Sequence, residues 1–290
     1  LKITMTAITM RLAEIYIYPI KSCQGIRLDH AEVTPKGFAW DREFMLVDRE
    51  GKFITQRQYA QLARIQVQLV EGGLLLSTAD NRISPFFLEP SLTGAEMSVQ
   101  IWRDRTAAID QADEVANWFQ AALPLPVDQP CRLVRQSSHV IRPIDPNYAE
   151  RDDEPVSFAD GYPFLLTATA SLAELNRRLQ EADPRENQTV PMNRFRPNIV
   201  VETEIPFSES HWRSIQIGEV KFAVVKPCSR CIITTTDQIT GERNPQQEPL
   251  RTLSTFRQFG KAGIMFGENM IPKTIGPLKV GDRVQIYRDC

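Results

Sequence analysis

The chain has 290 residues, 42% hydrophobic and 24% charged, with 34 Lys and Arg against 36 Asp and Glu and a formal net charge of -2. That balance, with a sequence pI near 6.0, argues against a dedicated nucleic-acid surface or a polybasic membrane surface, and no apolar run reaches the roughly 18 residues of a membrane-spanning helix. Five cysteines at irregular positions make no disulfide framework and nothing at the start resembles a signal peptide, so a cytoplasmic protein of one large or two modest domains is expected.

Residues 1–9, with Met5 and Met10 both possible starts, read as an extension outside the fold. From Arg11 to about Arg105 the β-rich runs 13–18, 26–33, 43–47, 65–70 and 74–77 predict short strands. Pro35-Lys36-Gly37, Glu50-Gly51-Lys52 and Glu71-Gly72-Gly73 supply glycine where a turn needs a positive φ, and strands at this spacing favour a barrel or sandwich. Residues 112–123 switch to a helical period, with Val115, Trp118, Phe119 and Leu123 on one face and Pro124 and Pro126 as the stop. A predicted strand at 131–135 leads into the Pro- and charge-rich stretch 142–155, read as a long excursion or an inter-domain crossing. Ser171 and Glu174 have the spacing of a capping box, and Leu172, Leu175 and Leu179 give a second helix its apolar stripe. Strands are then predicted at 198–202, 214–217, 220–225 and 231–236, with a tight hairpin through Ile217-Gly218-Glu219-Val220. A short helix over 250–259 and a terminal hairpin over 275–287, turning at Val280-Gly281-Asp282, complete a fold that is mainly β with a few helices.

Chemistry is concentrated in Lys226-Pro227-Cys228-Ser229-Arg230-Cys231, ahead of the strand-like Ile232-Ile233-Thr234-Thr235-Thr236. A thiolate attacks electrophiles or binds soft metals, and adjacent positive charge favours it. The CxxC spacing is shared by zinc knuckles, redox dithiols and buried apolar cysteines. Cys23, Cys131 and Cys290 and the histidines His30, His139 and His211 are scattered singly, which disfavours a four-ligand zinc site. A redox dithiol would be expected to open a helix, whereas the threonines and paired isoleucines favour a strand.

Three further segments put polar and basic residues at predicted strand ends: Lys21-Ser22 after Tyr18-Pro19-Ile20, Asp41-Arg42 before 44–47, and Asn193-Arg194-Phe195-Arg196-Pro197-Asn198 before 199–201. Lys and Arg bind anions, Arg in a bidentate fork, while Ser and Asn fix orientation. Taken singly, Lys21-Ser22 is ordinary solvated surface and Asp41-Arg42 a local ion pair. Arg194 and Arg196, two apart on a predicted strand, are expected to share a face.

In order along the chain, Tyr18-Pro19-Ile20-Lys21-Ser22, Asp41-Arg42, Ser157-Phe158-Ala159-Asp160-Gly161-Tyr162-Pro163, Phe195-Arg196-Pro197-Asn198, the CxxC segment with its threonines and the Gly281-Asp282 ending resemble the successive signatures of the MOSC superfamily. The likeness runs from about Arg11 to Tyr287 and is nearest to the two-part branch that includes amidoxime-reducing components and bacterial reductases of N-hydroxylated compounds. The resemblance implies two β-barrel-like parts, 10–128 (MOSC-associated) and 129–290 (MOSC), packed around a cleft for a molybdenum pterin cofactor. It further implies that Cys231 ligates molybdenum and carries catalysis, that Lys21, Ser22, Arg42 and Arg196 hold the cofactor together with Asn198, Ser229 and Arg230, and that Cys228 packs beside the ligand. The expected activity is that of an oxidoreductase acting on small N-hydroxylated substrates. Some bacterial relatives continue into an iron-sulfur domain that this chain lacks, so a separate electron donor of ferredoxin or flavoprotein type is implied. Sulfur transfer through a Cys231 persulfide, or a non-catalytic cofactor carrier, are the alternatives.

Overall fold

The computed structural model describes residues 10–149, 151, 153–182 and 189–287; the proposed extension 1–9 and Cys290 lie outside the described residues. Alternation gives the strands their inner face: Ile215 and Ile217 of Ser214–Ile217, and Val220, Phe222 and Val224 of Val220–Ser229, are buried while their neighbours are less so. These strands belong to an eight-stranded sheet in the order Val284–Tyr287, Ser214–Ile217, Val220–Ser229, Met265–Pro272, Phe164–Ala168, Ile199–Val201, Leu12–Ile17, Ile26–Leu28. Its neighbours are antiparallel except Phe164–Ala168 beside Ile199–Val201, which are parallel. The helix Thr169–Ala182 lies between those two strands in sequence, the kind of crossover a parallel pair requires.

A four-stranded sheet orders Phe44–Val47, Arg132–Gln136, Asp104–Asp110 and Glu96–Ile101, and two three-stranded sheets complete a mostly β molecule. Two large apolar cores result. One gathers Ile20, Phe44, Leu62, Trp118 and Phe119, the other Ile15, Ile17, Phe38, Phe164 and Phe222. The chain crosses between them within three residues: Ile17 is packed in the second core and Ile20, bridged to Phe44, in the first. Lys21 and Ser22 therefore sit at the seam. Each lobe pairs strands remote in sequence, since Leu12–Ile17 pairs with Ile199–Val201 around the second core while Arg132–Gln136 pairs with Phe44–Val47 beside the first. Among the described residues no helix is long and apolar enough to cross a membrane.

Many predicted elements form close to the expected bounds, among them Ile65–Val70, Ser214–Ile217, the helices Asp113–Ala122 and Leu250–Arg257, and the hairpin pairing Ile217 with Val220. Gly37, Gly51 and Gly72 adopt positive φ as the turns require. Other expectations fail for identifiable reasons. The run 231–236 is no strand but a 3-10 turn, Ile232–Thr235, because the hydroxyls of Thr234 and Thr235 donate back to the carbonyls of Cys231 and Ile232 at 3.0 and 2.8 Å, outweighing their β preference. Arg194 and Arg196 share no strand face: Met192–Phe195 is a 3-10 turn and Arg196 is left-handed, which sends Arg194 into a buried contact with the Thr235 carbonyl and Asp237. Ser171 does not cap. The helix starts at Thr169, straight off the preceding strand, and the Ser171 hydroxyl donates to Glu209 at 2.6 Å instead. The terminal hairpin is absent as well: Gly276–Lys279 pairs with His30–Thr34, and Val284–Tyr287 with Ser214–Ile217. That division also splits the predicted strand 26–33 in two at Asp29.

Candidate functional site

Arg142 backs one wall of the cleft at the seam. Only 2% exposed, it donates to the carbonyls of Ser157 and Ala159 at 2.9 and 2.6 Å and of Asp160 at 3.0 Å, and its Nε donates to Asp104 at 2.9 Å. The stretch read as an excursion thus folds back, with Ile144 N bonded to Glu154 O and Val156 N to Arg142 O, and fixes the backbone of 157–160. Onto this loop comes Lys21. Its ammonium donates to the Phe158 carbonyl at 2.7 Å and to Asp160 Oδ1 at 2.6 Å. Burial pushes the Lys21 ammonium down to about 8, with Asp160 opposing the shift. Desolvation by the surrounding cleft works to raise Asp160, whose side chain still reaches solvent, but Lys21 and Arg57 outweigh it and hold the carboxyl well below the usual range.

Arg42 and Arg196 form the second wall. Arg42 Nη1 donates to Asp41 at 2.6 Å and Asn198 Oδ1 at 2.9 Å, and its Nη2 to the Arg196 carbonyl at 3.1 Å. Both guanidinium groups lie against the Tyr18 ring, at 4.3 Å for Arg42 and 4.2 Å for Arg196. Asp41 is 1% exposed; burial raises its pKa, against the pull of Arg42 and the Tyr18 N–H. Arg196 donates to the Cys23 carbonyl at 2.8 Å, and burial, joined by the charge of Arg42, pushes it down to about 10, still a cation at neutral pH. Ser22, Arg42 and Arg196 all have left-handed backbones, with φ of 70°, 51° and 53°. Non-glycine residues there cost on the order of 1–3 kcal/mol each and tend to cluster at working sites.

The third wall is the CxxC segment. Val220–Ser229 carries Cys228 to the cleft, and Cys231, in extended conformation, leads into the 3-10 turn. Both thiols are half-buried. Arg230 Nη1 donates to Cys228 Sγ at 2.9 Å and Nη2 to the Phe195 carbonyl at 2.6 Å. Two separated segments meet here, because Phe195 stacks on Phe266 with ring centres 3.9 Å apart. Cys23 and Cys131, by contrast, are buried in the first core, with thiols pushed up to about 12 and about 11 by burial.

The structure therefore brings Lys21, Ser22, Arg42, Arg196, Asn198, Ser229, Arg230 and Cys231 to one open cleft with an empty volume of about 820 Å³, with Cys228 on the same lining. Their standing within it differs. Asn198 is 1% exposed and its amide is occupied as a brace, accepting from Arg42 and Leu165 N and donating to Tyr16 O. Arg194 points elsewhere, to Asp237. Sequence reasoning passed over Arg57 and Asn269, which also line the cleft, and Arg142 behind it, and gave no role to Tyr162 of the 157–163 motif. Asp160 stood in a quoted segment but carried no role. Arg57 and Arg142 have no local signature, since only contacts remote in sequence distinguish them from surface arginines.

Five cationic side chains line the cleft against one carboxylate, Asp160. Arg57 Nη1, Arg230 Nε and the Tyr162 hydroxyl are buried with no hydrogen-bond partner. Such donors suit an anionic ligand. Two thiols add soft donors, but among the described residues no group of three or more His, Cys, Asp or Glu side chains is arranged to hold a metal ion. A metal here would take its remaining donors from an organic ligand.

A two-lobed β protein with a cationic, thiol-bearing cleft at its seam is the class that fold and site define. The chain matches the MOSC N-terminal beta barrel domain over residues 9–126 and the MOSC domain over residues 153–285, and it belongs to the MOSC family. It is 32% identical over 290 residues to mitochondrial amidoxime-reducing component 1 of Homo sapiens, a match that covers 95% of this chain and 82% of that protein. It is also 32% identical over 271 residues to molybdenum cofactor sulfurase of Oryza sativa subsp. japonica, covering 89% of this chain but 32% of that longer protein. Among solved structures, the YUAD protein from Bacillus subtilis aligns over 97% of this chain and 98% of its own at 10% identity, with a TM-score of 0.37.

Proposed function

We propose that this chain is a reductase of N-hydroxylated compounds that works with a molybdenum pterin cofactor in the seam cleft and takes electrons from a separate donor protein. One observation carries the reading: two half-buried thiols line the same cleft as an excess of cationic donors, some of them without acceptors. That donor set suits a ligand which is anionic at one end and holds a soft metal at the other. Kinship with amidoxime-reducing component 1 supports the reductive activity.

In this reading Cys231 is the metal ligand, and Lys21, Ser22, Arg196 and Arg230 hold the anionic groups. Arg42 and Asn198 act mainly as braces that fix Arg196 and the strand ends. The bound cofactor supplies two-electron redox chemistry; the overall reaction adds two electrons and two protons to an N–OH group and releases N–H and water. Arg142 keeps the 157–160 loop in place, and Lys21 supplies a positive charge that persists at neutral pH because its titration is centred near 8.

The test is elemental analysis of protein purified from a host that makes the pterin. About one molybdenum per chain is expected, lost on Cys231→Ala and kept on Cys228→Ala. Equal loss from both variants, or zinc in place of molybdenum, overturns the ligand assignment. Loaded protein that fails to convert a hydroxylamine or amidoxime under chemical reduction overturns the activity.

A further inference from the structure

We infer that Arg57 is a phosphate-recognition residue of the cleft, one that takes a phosphate monoester group together with Lys21. The inference rests on the seam cleft being the ligand site but not on molybdenum. Arg57 is supplied by the 55–59 turn, which is closed by the bond from Thr55 Oγ1 to Gln58 Oε1 at 2.7 Å and by Arg57 N donating to Thr55 Oγ1 at 3.1 Å. From the other lobe, Arg243 donates to the carbonyls of Gln56 and Arg57 at 2.9 and 2.7 Å. The main chain is thereby pinned from both sides of the seam. Its guanidinium lies over the Trp102 ring, 4.5 Å from the centre, so the plane of the fork is set before any ligand arrives.

The fork is only half used. Nη2 faces Asp160 Oδ2 at 3.5 Å, whereas Nη1 is buried and bonds to nothing among the described residues. Arg42 and Arg230 are more fully committed, with both terminal nitrogens on acceptors or a sulfur. Arg196 makes its bonds to Cys23 and Gln238 from Nη1 alone, but among the described residues no carboxylate fixes it toward Lys21 as Asp160 fixes Arg57. Asp160 is shared between Arg57 and Lys21, one carboxylate for two cations, and its side chain is 56% exposed. One positive charge is left over, beside a planar donor with a free edge and the Ser22 side chain on the same lining. A phosphate monoester, with nearly two negative charges and three acceptor oxygens, matches that set better than a single carboxylate does. The phosphate could come from a bound pterin or from a substrate.

Isothermal titration of the full-length protein with inorganic phosphate tests the assignment. Arg57→Gln is expected to weaken binding about tenfold or more, and Arg57→Lys, which keeps charge but loses the fork, by less. Affinity within twofold of wild type in both variants overturns it. Two further measurements identify the source. Pterin retained per chain falling in Arg57→Gln in step with phosphate affinity assigns the cofactor's phosphate. Unchanged retention, with KM rising about tenfold more for a phosphate-bearing test amidoxime than for its phosphate-free analogue, assigns a substrate phosphate. Protein that binds phosphate through Arg57 yet never holds molybdenum would overturn the reductase reading and leave this one standing.

Discussion

Replacing Glu268 with glutamine is expected to make the protein more stable above neutral pH and to leave it little changed in mild acid. Glu268 is 2% exposed on the central strand Met265–Pro272, and its Oε1 has no partner among the described residues. Around it stand Glu209, itself 0% exposed and accepting from Ser171, and the guanidinium groups of Arg257 and Arg213. Burial, reinforced by Glu209 and only partly offset by Ser210 and the arginines, pushes the Glu268 carboxyl from 4.5 up to about 7. Between those values the folded protein holds a proton that the unfolded chain has released, so stability falls as pH rises through the window. The whole span corresponds to about 3 kcal/mol, and about 2.5 kcal/mol of it separates roughly pH 5 from roughly pH 8.5. Urea unfolding of wild type and Glu268→Gln at those two pH values reads the effect directly. With a denaturant slope of about 3 kcal/mol/M, the variant's midpoint should gain about 0.8 M on the wild type between the two conditions. A difference that does not change with pH refutes the reasoning, and one that shrinks as pH rises reverses its sign.

Two other outcomes follow from the cleft. Sulfate keeps its charge across the range, so its affinity should fall several-fold between about pH 7 and about pH 9.5 as Lys21 loses its proton near 8, and Lys21→Arg should flatten the profile; a flat wild-type profile refutes the role of Lys21. Asp41→Ala removes a fully buried acceptor from Arg42 and the Tyr18 N–H, and a loss of about 3–5 kcal/mol in urea unfolding is expected, with less than about 1 kcal/mol counting against the brace.

Much of this protein is legible in one dimension because its determinants are local. Alternation in 214–217 and 65–70, glycines at turn positions, the Val115, Trp118 and Phe119 stripe, and the ordered motifs around Lys21, Arg42, Arg196 and Cys231 depend on neighbours a few residues away, and the sequence by itself determined a mainly β chain of the MOSC family. Two central strands escaped. Phe164–Ala168 is buried on both faces, so its residues do not alternate, and Met265–Pro272 is nearly so. The threonines after Cys231 misled for a related reason: hydroxyls that bond back to the main chain turn a β-rich composition into a 3-10 turn. What only the tertiary structure decided is the division of labour in the cleft. Arg42 is tied to Asn198 and the Arg196 carbonyl, Asn198 is saturated as a brace, Arg142 holds the loop that presents Asp160, and Arg57 keeps a free donor. Each of those facts depends on partners brought from remote segments, for Asn198 with Tyr16 182 residues away, and no local pattern encodes such distances.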